Sequence, residues 1–277
     1  MNFLKTSLFV LGISLSTNAF AMEGGVKNSI DPFYMPNSGS ITWLNDYNIS
    51  DLKSIASRIQ YGVSDNLALE FGATYLSSEY DTKDIYGYGG KLHDIFTLGV
   101  IYKGGFASNE NVFYKSSINF NSTLGGDNAS LSHLGNIDDI SDSTDHFMFK
   151  SAIGYSSLDG DSISLFGRAR WVLDESARTN NVLGNLQFGN DVLAISENFM
   201  TVGFEGQKKL QNNFFVGAKY EQNFDGSDRD DKITPWLAEV NATYSIKEVD
   251  ITSYYSRVER NEIVGRDIYG VRFAVKF

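Results

Sequence analysis

The feature that most constrains this chain is an alternation of apolar and polar residues with a period of two, repeated along its length. In the last segment Tyr269, Val271, Phe273, Val275 and Phe277 fall on one face, and Gly270, Arg272, Ala274 and Lys276 on the other. Ile163, Leu165, Gly167, Ala169, Trp171 and Leu173 oppose Ser164, Phe166, Arg168 and Arg170. Trp236, Ala238, Val240, Ala242 and Tyr244 oppose Glu239, Asn241 and Thr243. Successive side chains of a β-strand point to opposite sides, so each segment is a strand with one greasy and one polar face. Gly, Asn, Asp and Ser bound the segments, as turns require. Convincing stripes at helical spacing are missing, and no stretch after Ala21 approaches the ~18 apolar residues of a spanning helix.

A soluble β-sandwich also alternates. Three features favour a membrane barrel instead. Aromatics gather toward the ends of the apolar faces, small residues crowd the polar faces, and the connections alternate between short and long. Composition agrees: aromatics are 14% of the chain, and there are only 3 prolines, which remove a ladder donor wherever they enter a sheet. The absence of cysteine excludes a disulfide scaffold, cysteine-ligated zinc, an iron–sulfur cluster and a thiol nucleophile. A net charge of -11 argues against nucleic acid as a partner, because an acidic surface repels phosphate.

Twelve strands are expected, near 40–48, 54–63, 67–78, 92–103, 111–122, 146–156, 162–173, 197–208, 213–223, 233–246, 249–259 and 267–277. Ten or fourteen remain open, the first link around Ile49 to Lys53 being the weakest part of the count. Short links follow the second, sixth, eighth and tenth strands, at Ser64-Asp65-Asn66, Leu158 to Asp161, Gln211-Asn212 and Lys247-Glu248. A moderate link, Gly104 to Glu110, follows the fourth. Longer links are expected at about 79–91, 123–145, 174–196, 224–232 and 260–266. The fold class is thus all-β, a transmembrane antiparallel up-and-down barrel, with both termini periplasmic and the long loops outside.

Residues 1–21 have the three parts of a secretory signal peptide: Lys5 with no acid in Met1 to Ser7, a short apolar run from Leu8 to Leu15, and small residues at Ala19 and Ala21. Cleavage after Ala21 removes one charge, leaving 22 basic against 34 acidic residues and a net -12. Residues 22–38, with Asp31-Pro32-Phe33-Tyr34-Met35-Pro36, are not strand-like; they are expected to form a periplasmic lead-in or a short lumen plug. Residues 39–277 are then the barrel.

The signal peptide, the alternating strands and the aromatic last strand ending in Phe277 resemble a Gram-negative outer-membrane β-barrel. The stretch from Tyr61 to Gly72, through Ser64-Asp65-Asn66, resembles the tight periplasmic turn of many porin-like families. The resemblance implies a bacterial outer-membrane location, with membrane lipid and lipopolysaccharide as neighbours. It also implies that Tyr269, Phe273 and Phe277 form the signal read by the barrel assembly machinery.

The polar faces indicate function. Arg58, Lys115, Lys150, Arg168, Arg170, Lys219 and Arg272 are inward by alternation, since a basic residue facing lipid at the midplane costs roughly 2–4 kcal/mol. Glu70, Glu205, Glu221, Glu239 and Asp250 are inward on the same argument. Bases on earlier strands and acids on later ones would meet across the bore. Such walls suit a hydrated, porin-like channel passing small polar solutes, with these twelve residues setting selectivity. The rivals are a barrel closed by its own salt bridges, acting through loops 123–145 and 174–196, and an outer-membrane hydrolase.

Catalytic signals are weak, and no enzyme activity is expected. Of the histidines, His93 and His146 are inward, while His133 beside Ser132 lies in the longest loop. The acids Asp138, Asp139, Asp142 and Asp145 near His146 suit a solvated loop. Asp225 to Asp231 has calcium-like spacing but lacks the bidentate Glu of a Ca²⁺ loop. No metal and no cofactor is expected.

Overall fold

The computed structural model describes residues 28–49, 52–78, 94–106, 109–124, 145–173, 186–188, 191–193, 199–225, 236–259 and 265–277. Twelve of its strands form one closed antiparallel barrel. They are β1 (Ile41–Ile49), β2 (Leu52–Ser64), β3 (Leu67–Ser78), β4 (Asp94–Phe106), β5 (Asn109–Leu124), β6 (Asp145–Ser156) and β7 (Ser162–Val172). After a small separate hairpin, β8 (Leu186–Phe188) and β9 (Asp191–Leu193), the barrel continues with β10 (Phe199–Gln211), β11 (Phe214–Asp225), β12 (Trp236–Ile246), β13 (Val249–Glu259) and β14 (Gly265–Lys276).

Each strand pairs with its neighbour in the chain, β7 with β10, and β14 returns to β1. At that seam Trp43 lies opposite Val275 and Asp46 opposite Arg272, and Phe277 and Ile41 exchange backbone hydrogen bonds of 2.8 and 3.1 Å. Closure leaves no unpaired edge, which hydrocarbon would penalise by several kcal/mol for each bare amide.

The strand count matches the alternation, and two connections differ from it. The link expected at Gly104 to Glu110 is shorter, because β4 runs on to Phe106 through a bulge at Gly105 and β5 begins at Asn109. The Tyr114 ring lies over Gly104, where an added Cβ would collide with it, so glycine there reads as a turn but serves as a packing notch. The long link after β7 contains the β8–β9 hairpin, whose three-residue strands are too short to show a period.

Outward residues form an exposed apolar belt. Trp43, Phe71, Leu98, Leu165, Phe204, Val240 and Tyr269 all lie on it. Such exposure would be an aggregation hazard in water and is the expected surface in lipid.

Candidate functional site

The inner face holds the chemistry. All twelve charged residues singled out by alternation lie on the bore side. Arg58, Glu70, Lys115, Lys150, Arg168, Glu205, Lys219, Glu239 and Arg272 line a cavity of about 230 Å³ inside the barrel. Arg170, Glu221 and Asp250 are buried on the same inner rows of β7, β11 and β13.

The charges pair along the wall more than across the bore. Arg272 on β14 makes two bonds of 2.7 Å to Glu239 on β12 and one of 3.0 Å to Asp46 on β1. The Tyr254 hydroxyl donates to the same Asp46 at 2.8 Å, and the Arg272 guanidinium stacks 3.8 Å from the Tyr254 ring. Ser256 and Asn241 donate to Glu239 at 3.2 and 3.1 Å. On the other side Arg168 of β7 donates to Glu221 of β11 at 2.6 Å, and Lys219 contacts the same carboxylate. Lys150 of β6 donates to Glu205 of β10 at 2.9 Å and lies 4.4 Å over the Phe166 ring. Glu70 accepts from Gln60 at 2.7 Å and Asn119 at 3.0 Å, with Arg58 4.0 Å away.

The partners are therefore on the same strand, on neighbouring strands or on next-but-one strands. The expectation of bases facing acids across the bore follows from strand order alone. It leaves out the long Lys and Arg side chains, which reach sideways to the nearest carboxylate.

Residues 28–38 enter the bore at the end that carries the short links. Gly39 donates to the Gly62 carbonyl at 2.7 Å, and Gly39 itself has a φ of 77°, a left-handed turn that suits glycine. Gly62 has no room for a Cβ, because the Asn37 carbonyl occupies that place. Met35 then packs on Ala68 and Ile101, and Phe33 on Phe113, Ala152 and Phe166, all inward residues. The Tyr34 hydroxyl bonds to Thr42, and burial pushes it up to about 12. Lys115 donates to the Tyr34 carbonyl at 2.7 Å, and the Ser29 amide donates to Asp250 at 2.7 Å.

Asp31 anchors the innermost turn. Its carboxylate accepts from the Phe33 amide at 2.8 Å, Ser156 at 3.1 Å and Gln207 at 3.4 Å. Burial outweighs these bonds and raises the group to about 6. The segment thus fills the short-link end of the bore, and the cavity lies between it and the charged walls.

Sequence reasoning missed Asp31, Asp46, Lys103 and Tyr254, together with the inward aromatics Phe33, Phe113 and Phe166. Asp46 was hidden because Asn45 interrupts the apolar face of β1; Lys103 was hidden because Ile101 and the following glycines blur the period. The inward aromatics break the polar-in rule to receive the N-terminal segment.

Of the histidines, His146 is buried at the long-loop end, with Arg170 3.5 Å from its Nδ1. His93, His133, Asp138, Asp139, Asp142 and the acids 228–231 lie outside the described residues, as do the signal peptide and residues 22–27. Tyr269, Phe273 and Phe277 project outward from the last strand.

No protein-family model and no curated protein sequence matches the chain. Solved structures do match, and they define a class. The COG4313 outer membrane channel from Pseudomonas putida F1 aligns over 91% of this chain and 100% of its own, with a TM-score of 0.58 at 14% identity. The NanC porin aligns over 86% and 100%, with a TM-score of 0.56 at 8% identity. The KdgM porin in complex with disordered oligogalacturonate aligns over 86% and 99%, with a TM-score of 0.54 at 10% identity. The chain shares the fold of these outer-membrane porins and channels.

Proposed function

We propose that this chain is a porin-like channel of the bacterial outer membrane, passing small polar solutes passively. The observation that carries this reading is a polar, ionisable cavity enclosed by a barrel whose outer belt is apolar. A barrel closed by its own salt bridges would leave no such cavity between its charged walls. The neighbours of matching fold are channels and porins, which supports the reading.

The short-link end is the periplasmic end in this account, and the signal peptide is cleaved after Ala21. Tyr269, Phe273 and Phe277 serve as the terminal strand signal for the assembly machinery. Lipid and lipopolysaccharide surround the belt. Passage requires the N-terminal segment to move aside from the short-link end.

Planar-bilayer recording of the purified protein tests the channel. Discrete conductance steps are expected, larger in a variant lacking residues 28–35. Absence of steps in both proteins at every voltage would overturn the channel reading.

A further inference from the structure

The balance of charge inside the bore is uneven in a way that the chain's overall acidity conceals. Six strand carboxylates face inward with described contacts: Asp46, Glu70, Glu205, Glu221, Glu239 and Asp250. Each has a Lys or Arg nitrogen within 4.0 Å. The reverse does not hold. Lys103 on β4 and Lys115 on β5 lie directly opposite one another in the ladder, both facing inward. Neither has a carboxylate within 4.0 Å among the described residues.

The Lys103 ammonium lies 5.6 Å over the Phe113 ring. The Lys115 ammonium gives one hydrogen to the Tyr34 carbonyl at 2.7 Å and lines the cavity beside Ser117 and Asn119. An ammonium has three hydrogens to give, so Lys115 retains donors for a second partner. Two adjacent like charges away from bulk water are costly unless an anion meets them.

Asp31 of the N-terminal segment acts on both lysines through space, as do Glu205 and Glu70 on Lys115 and Asp65 on Lys103. The Asp31 carboxylate, however, is bonded to neutral donors, Ser156 and Gln207, and to neither ammonium. Among the described residues neither ammonium is therefore bonded directly to a carboxylate, and Lys115 keeps donors toward the cavity.

We propose that the wall around Lys115 is a binding site for a small carboxylate-bearing solute, with Lys103 supplying a second positive charge, so that the bore favours anions over cations. The site deepens the channel reading, and only its consequence for ion selectivity rests on conduction. The carboxylate accepts from Lys115, while polar groups of the solute meet Ser117 and Asn119 on the same strand. Glucuronate, a singly charged sugar acid, is a suitable probe, and glucose is its uncharged match in size.

Calorimetric titration of the full chain in detergent micelles tests the site. Glucuronate is expected to bind and glucose to give no saturable heat. Lys115→Met is expected to weaken glucuronate by about tenfold, the value of one charge-assisted hydrogen bond. Lys115→Arg keeps the charge and is expected to retain binding. Heat-modifiable gel migration shows whether each variant is folded, and Lys103→Met provides a second neutralisation if the first fails. Equal affinity for glucuronate in the wild type and a folded Lys115→Met variant, or equal binding of glucose, would overturn the site.

Reversal potentials in a KCl gradient test the consequence. Chloride preference that falls in Lys115→Met is expected, and a cation-selective wild type would overturn the anion preference while leaving a channel. Absence of conductance overturns the channel reading alone, and the titration then still decides the site.

Discussion

Replacing Arg272 with Met should be among the most damaging single changes in the barrel. The guanidinium makes three short bonds, two to Glu239 and one to Asp46, and stacks on Tyr254. Its loss leaves Glu239, which is 3% exposed, without its only described ionic partner at bonding distance, and strips Asp46 of one of its two donors. Orphaning a buried carboxylate in this way costs about 3–5 kcal/mol. Met keeps the packing of the apolar stem but not the charge over the Tyr254 ring, so the loss is electrostatic. Adding Glu239→Gln to the Arg272→Met variant removes the orphaned charge, and the pair should recover about 2 kcal/mol relative to the sum of the single changes. Urea unfolding in lipid vesicles, followed by tryptophan emission, measures both quantities. A loss below about 1 kcal/mol, or additivity of the two changes within about 0.5 kcal/mol, would refute the claim that this network is a desolvated and coupled unit.

Two further outcomes follow from the geometry. Burial raises Asp31 from 3.8 to about 6 in the bore, so between those values the docked segment holds a proton that the free one has lost. Its docking is fully stable below the free value and weakens as pH rises through the bound one, by about 3 kcal/mol in all. Hydrogen exchange of the Phe33 and Tyr34 amides should therefore quicken from about pH 4 to pH 7 beyond its intrinsic rise, and Asp31→Asn should abolish that excess; an excess that survives in Asp31→Asn would point to another group. Val240 lies outward at the middle of β12, so Val240→Lys should destabilise the barrel in vesicles by about 2–4 kcal/mol, measured by the same unfolding assay. A cost near zero would place that face away from hydrocarbon.

The barrel is largely legible in the sequence because two solvents impose one period. Lipid demands apolar side chains at Leu165, Val240 and Phe273, and the bore tolerates charge at Arg168, Glu239 and Arg272. The number of strands follows from counting those alternations. Which charge meets which is much less legible. The link from Lys150 to Glu205 skips a strand, and that reach depends on strand stagger and side-chain length, neither of which a period contains. The N-terminal segment is harder still. Its Phe33 finds Phe113, Ala152 and Phe166, residues far away in the chain that look misplaced on polar faces until the segment that covers them is known. Gly62 has the same history, an apparent turn residue whose missing Cβ makes room for the Asn37 carbonyl.

Solute entry into protein-containing vesicles tests the central claim most directly. Vesicles carrying the purified chain should equilibrate with glucose faster than protein-free vesicles, as read by osmotic swelling. They should do so without any energy source and with a rate proportional to the amount of folded protein. Swelling no faster than in protein-free vesicles, with the protein folded and inserted, would contradict passive passage through this bore.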